Sequence, residues 1–172
     1  MNTSQKTKTL VTTAVFAALI TLVTGYFLHI PIPTGGYLHL GDTLIYLAAS
    51  LLPSPWAMAA ASIGAGLADL LLAPMWVLPT VVIKAVVALQ FTRKGCRILC
   101  PRNLLAAAAT LLVSPTLYSL ANCILAGTWK AFLPQFWPTM VQAVGSGVVF
   151  LALGLILDRT DFKSRLQKVL GV

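Results

Sequence analysis

Gly35-Gly36-Tyr37-Leu38-His39-Leu40-Gly41-Asp42 runs without a break into Thr43-Leu44-Ile45-Tyr46-Leu47-Ala48-Ala49-Ser50. Three glycines, a histidine and an aspartate thus stand directly before an apolar run, in a chain that otherwise avoids charge. Paired glycines let a backbone turn tightly or approach a ligand closely. Asp42 stands where the next helix begins, a position that favours a carboxylate as N-cap. The stretch reads as a loop joining two apolar helices, and a loop of this composition is a place for ligand contacts as well as for a capped turn.

The residues on either side decide the class of protein. Hydrophobic residues make up 58% of the chain and charged residues 9%, against roughly 25% charged in soluble domains. Mean hydropathy is +0.88. There is no glutamate, and the acidic residues are Asp42, Asp69, Asp158 and Asp161. Too little polar surface remains to cover a water-soluble core of this length. The sequence is that of an all-α integral membrane protein.

Outward from the glycine stretch, apolar segments read as six transmembrane helices over approximately 9–30, 38–53, 55–73, 75–91, 104–126 and 135–157, all within one membrane domain spanning 1–172. About 20 apolar residues cross a bilayer, so 38–53 is short for a span, and Ser114-Pro115 marks a bend in the fifth. The first segment is too long for a signal-peptide core and no cleavage site follows it. The net charge of +8 raises the question of nucleic acid. The basic residues, however, cluster at Lys6 and Lys8, at Arg93 to Arg102 and at Arg159 to Lys168, each cluster flanking an apolar segment. Of the 12 Lys and Arg residues, all but Lys84 and Lys130 then lie on one side of the membrane. This positive-inside bias puts both termini in the cytoplasm and needs no nucleic-acid partner.

Polar residues inside spans are costly and are therefore functional candidates. Lys84, the only basic residue within a span, shares a helical face with Thr80 and Trp76. It requires an acid, Asp69 or Asp42, or a polar ligand; a Lys–Asp pair of purely structural role is the alternative. Tyr118 and Asn122 are four apart, as are Gln142 and Ser146, and each pair shares a helix face. Together these groups read as the lining of one polar pocket in the last three helices. Trp76, Trp129 and Trp137 are either an interfacial belt or stacking surfaces for a flat ligand. No nucleotide-binding, zinc-protease or serine-hydrolase motif is present. Cys96, Cys100 and Cys123 read as free thiols, with no metal site and no cofactor around them.

Three blocks carry a resemblance: Gly36-Tyr-Leu-His-Leu-Gly-Asp42-Thr-Leu-Ile-Tyr-Leu-Ala48, Ala61-Ser-Ile-Gly-Ala-Gly-Leu-Ala-Asp69-Leu-Leu71 and Pro79-Thr-Val-Val-Ile-Lys84. In order and spacing they resemble the substrate-binding S component of energy-coupling factor (ECF) vitamin transporters, in the riboflavin-transporter-like branch. Ala14-Val-Phe-Ala-Ala18 resembles the family's AxxxA element on the first helix. The resemblance implies a small bundle in a bacterial-type plasma membrane that captures a vitamin or vitamin precursor from outside. It implies no ATPase of its own, but a transmembrane coupling subunit docked at Ala14 and Ala18 and two ABC ATPases. The complex would topple in the membrane to release substrate inside, with the first loop as a lid. On this reading the substrate contacts are His39, Asp42, Trp76, Lys84, Tyr118, Asn122, Trp129 and Gln142, and Asp69 pairs with Lys84. The ligand expected is a thiamin pyrimidine precursor, a pyridoxine-like compound or riboflavin, in that order. The rival readings are a solitary secondary transporter or channel, and a ligand-free structural membrane protein.

Overall fold

The computed structural model describes residues 2–27, 29–34 and 36–171; Gly35, in the opening loop, lies outside them. Helices dominate. α1 (Thr3–Tyr26) starts at a capping box in which Asn2 and Gln5 satisfy each other's backbone N–H. Its 24 residues measure about 36 Å, at 1.5 Å per residue. α3 (Ser54–Leu72), α5 (Pro101–Ala126) and α6 (Phe132–Arg159) are also long and apolar enough to cross a membrane. α4 (Val77–Gln90) extends a 3₁₀ turn at Pro74–Trp76, and the combined segment is shorter. Prolines stand in the first turns of α3 and α5, where a missing N–H costs nothing. Gly127, at φ 66°, ends α5 in the left-handed conformation that glycine adopts without strain.

α2 (Gly41–Leu51) departs most from the expected span. Its 11 residues reach only about 16 Å, roughly half the hydrocarbon thickness. Apart from Leu44, every residue of it is buried. It is a central post, touching α1, α3, α4 and α6, and also the short C-terminal helix α7 (Phe162–Leu170). Tyr46 stacks on Phe91 at 4.8 Å between ring centroids and meets Phe150 edge-on at 5.7 Å. A helix that is apolar all round belongs inside a bundle rather than against lipid. Large apolar side chains such as Leu78, Leu105 and Ile124 instead face outward from α4 and α5, as an apolar surround requires.

α1 lies against α3 along small residues. Ala17 and Ile20 meet Gly64, and Thr21 Oγ1 donates to the Gly64 carbonyl at 2.9 Å. On α1, Thr21 and Gly25 pack on α3, whereas Ala14 and Ala18 are exposed on the outer face.

The end of the bundle that carries both termini is laced together by polar bonds. Asn103, fully buried, accepts from Thr92 N–H at 2.7 Å, and its Nδ2 reaches the Ser50 hydroxyl and the Thr92 and Ile98 carbonyls. Asp158 accepts from the Ile98 and Leu99 N–H groups, while Lys163 and Gln167 of α7 donate to the Arg97 and Arg93 carbonyls. The basic loop is thereby pinned to α5, α6 and α7. Removing Asn103 strands several buried backbone groups at ~1–3 kcal/mol each. Asn103→Ala is therefore expected to destabilise the protein by about 3 kcal/mol, seen as a lowered melting temperature in detergent micelles.

At the opposite end, the loop after α1 folds into a small antiparallel ribbon. β1 (Ile30–Pro31) pairs with β2 (Tyr37–Leu38) in the register Ile30↔Leu38 and Pro31↔Tyr37. Helical periodicity did not announce this hairpin, because two-residue strands carry no alternation to read. It lies over the ends of α1, α3 and α6 and forms the roof of the site.

Candidate functional site

α2 begins just under the hairpin, and its first turn places Asp42 in the centre of the bundle. Asp42 caps nothing: the N-cap position is Leu40, and the imidazole Nδ1 of His39 accepts the Gly41 N–H at 3.0 Å instead. The Asp42 carboxylate is turned to α4 and α6. Lys84 Nζ lies 2.6 Å from its Oδ1, and Gln142 Nε2 donates to its Oδ2 at 3.1 Å. Both charged side chains are 1% exposed. Gln142 Oε1 accepts in turn from the His39 N–H at 3.3 Å. The Lys84 ammonium also stands 4.9 Å from the centre of the Tyr118 ring, within reach of a cation–π interaction. Tyr118 OH and Thr80 Oγ1 are 2.9 Å apart.

The expected Asp69–Lys84 pair is therefore not the one formed. Asp69 lies one turn before the end of α3, level with the hairpin, and accepts from Tyr37 OH at 2.7 Å. Asp42, carried inward by the buried α2, reaches Lys84 first. Burial, and then the neighbouring Asp69 carboxylate, push the Tyr37 phenol well above the ordinary tyrosine range, so Tyr37 remains a donor.

A cavity lies between this network and the hairpin. Thr24 of α1 and Asp69 of α3 form one wall, and Trp76, Thr80 and Tyr118 another. Gln135, Thr139 and Gln142 of α6 close the third side, under a roof of Gly36 to His39. Tyr37 lies between His29 and His39, with centroids at 4.1 and 5.6 Å. The Thr34 hydroxyl bonds Gln135, tying the hairpin to α6. The space inside is only about 40 Å³, room for a few waters.

Of the residues expected from sequence, His39, Trp76, Tyr118 and Gln142 line this cavity, while Asp42 and Lys84 lie behind it and connect to it through Gln142 and the Tyr118 ring. Asn122 and Trp129 do not belong to it. The 3₁₀ turn at Trp129–Ala131 folds back over the end of α5, and Asn122 Nδ2 donates to the Ala131 carbonyl at 2.9 Å, closing that connection. Trp129 is 75% exposed. The four-residue spacing from Tyr118 places Asn122 on the same helix face, but one turn nearer the helix end, beyond the cavity. Sequence reasoning missed Thr24, Tyr37, Gln135 and Thr139. Only Tyr37 carried a signal, as the aromatic residue within the glycine loop. Among the described residues no group of His, Cys, Asp or Glu is arranged to hold a metal ion.

The chain is thus a bundle with exposed apolar faces, a hairpin over one end and a buried polar nest beneath it. The family model of the ECF-type riboflavin transporter S component matches residues 4–159. The chain belongs to this family. This S component is thus a multi-pass membrane protein and the substrate-binding subunit of an ECF transporter, in a family of transport components rather than of enzymes. No curated protein matches the chain.

Proposed function

We propose that this S component captures a small vitamin or vitamin precursor from the extracellular side, in the cavity under the hairpin. It then delivers the ligand inward with a transmembrane coupling subunit and two ABC ATPases. The observation that carries this reading is the buried Asp42–Lys84 pair joined through Gln142 to the lining of a roofed cavity. Intramembrane charge of this kind is costly, and a substrate site is its usual reason. Ligand pockets enclose ~300 Å³ or more, against the present 40 Å³. The hairpin must therefore swing outward to admit a vitamin-sized molecule. The ligands considered are a thiamin pyrimidine precursor, a pyridoxine-like compound and riboflavin.

The proposed placement is a bacterial-type plasma membrane, with six crossings in one membrane unit and both termini cytoplasmic. α2 and α4 then count as short crossings completed by the hairpin and the Pro74–Trp76 turn. The distribution of basic residues supports this orientation. His39, Asp42, Trp76, Lys84, Tyr118 and Gln142 are the proposed contacts, directly or through the network.

Mass spectrometry of small molecules released by denaturing the gently purified protein tests the reading. A heteroaromatic of vitamin size at near one-to-one stoichiometry is expected; saturable binding of none of these compounds, under any purification, would overturn it. Ala14 and Ala18 face outward on α1 with no partner from the rest of the chain in front of them. Close helix approach depends on such small residues. Ala14→Trp is expected to abolish uptake by cells carrying the ATPase module while leaving ligand affinity in micelles unchanged. Intact uptake would instead favour a transporter that works alone.

A further inference from the structure

The charges that line the cavity do not balance, and the imbalance describes the ligand. Lys84 is already committed: Asp42 holds its ammonium at 2.6 Å and the Tyr118 ring covers another side. His39 uses Nδ1 as an acceptor for the Gly41 N–H, so that imidazole is neutral and has only Nε2 to donate. None of the described residues lining the cavity is a lysine or arginine. Asp69, by contrast, lines it with a carboxylate that has room for about four donors. The described residues supply only the Tyr37 hydroxyl, at 2.7 Å, while the Thr80 hydroxyl is taken up with Tyr118.

Two further groups bordering the cavity lack partners among the described residues. The indole Nε1 of Trp76, a donor only, is buried without a hydrogen bond, and so is the Thr24 hydroxyl. Trp76 as a whole is 3% exposed. A buried donor left unmade is costly, and this one borders the cavity. Trp76 and Tyr118, with ring centroids 5.8 Å apart, add flat apolar surface.

We infer that the ligand is a flat heteroaromatic, neutral or cationic, which offers an N–H or amino donor to Asp69 and an acceptor to Trp76 Nε1, and that phosphorylated or carboxylated relatives are refused. This rests on the substrate-capture reading and narrows it. An anionic group in this cavity would face Asp69 with no free cation to offset it, in a water-poor setting where like charges repel strongly.

The test is isothermal titration of the detergent-purified protein with riboflavin, pyridoxine and the hydroxymethyl aminopyrimidine of thiamin, each beside its phosphate ester. At least one parent compound is expected to bind, with its ester weaker by about 100-fold or more. Asp69→Asn is expected to weaken the parent by about tenfold or more and to narrow the gap to the ester. Trp76→Phe, which keeps the ring and removes the donor, is expected to weaken the parent by roughly tenfold. An ester that binds the wild-type protein as tightly as its parent overturns the inference and leaves substrate capture standing. So does an Asp69→Asn protein that retains both affinity and discrimination. Should none of the six compounds bind, the capture reading for this class fails, and the inference with it. The wild-type comparison of parent and ester needs no variant, so misfolding of one would not blunt the test.

Discussion

Lys84→Ala is expected to destabilise the protein by about 3–5 kcal/mol, the cost of leaving one partner of a buried ion pair unpaired. Asp42 would keep its carboxylate at the centre of the bundle, 1% exposed, with only Gln142 still donating to it. Water cannot replace the ammonium without opening α2 away from α4. Asp42→Asn should also destabilise, since its one amide oxygen can accept from Lys84 but its NH2 then meets the Gln142 donor, and the ammonium is left without a counter-charge. Replacing both members with apolar residues of similar size, Asp42→Leu with Lys84→Met, is expected to recover most of the loss, because such replacements are often neutral or better. Thermal unfolding in micelles across this double-mutant cycle gives the coupling directly. A Lys84→Ala protein that melts with the wild type would show that the pair contributes nothing to stability. If the apolar double variant folds but binds no ligand, the pair is kept for recognition rather than for the fold.

Gly64→Val is expected to prevent stable assembly of α1 on α3. A Cβ at Gly64 would stand 2.7 Å from the Ala17 carbonyl oxygen and 2.8 Å from Ile20 Cβ. Both positions are set by the α1 backbone, so no rotamer change relieves the overlap and the helices must separate. Overpacking of a core that can adjust costs ~1–3 kcal/mol. A backbone clash belongs at the top of that range for Gly64→Ala and beyond it for valine, which would also break the Thr21 bond to the Gly64 carbonyl. Gly147→Ala is the control. It lies within α6 with nothing within 4 Å of an added Cβ, so removing a mid-helix glycine should be neutral or stabilise by up to about 1 kcal/mol. Detergent-solubilised yield and melting temperature separate the two outcomes. Equal behaviour of Gly64→Ala and Gly147→Ala would refute the close α1–α3 crossing.

Much of the candidate site was legible because its residues violate the local rule of an apolar span. Lys84, Asp42 and Gln142 stand out wherever they are read, since hydrocarbon penalises each of them whatever its neighbours. Their partners were not legible in the same way. Asp69 was the counter-charge expected for Lys84, with Asp42 as the other acid in reach. The choice turned on how deeply α2 is set and on α3 carrying Asp69 up to the hairpin. Asn122 failed as a site residue for a similar reason. Its helix face was right, but whether the cavity extends that far depends on the turn at Trp129–Ala131 folding back over the end of α5.

The sequence by itself determined the solvent and the class of this protein: with 9% charged residues and no glutamate, a lipid-embedded helical bundle is the remaining way to cover such a chain. It also determined the membership of the S-component family, because hydropathy, spacing and motif order are properties of contiguous segments. Tertiary structure alone decided that α2 is a buried post, that a hairpin roofs the cavity, that Asp42 takes Lys84 and that Asp69 is left facing the cavity. Each of these depends on the relative depth and rotation of elements far apart in the chain. Such distances follow from packing the helices together and are not encoded in the period of any one of them.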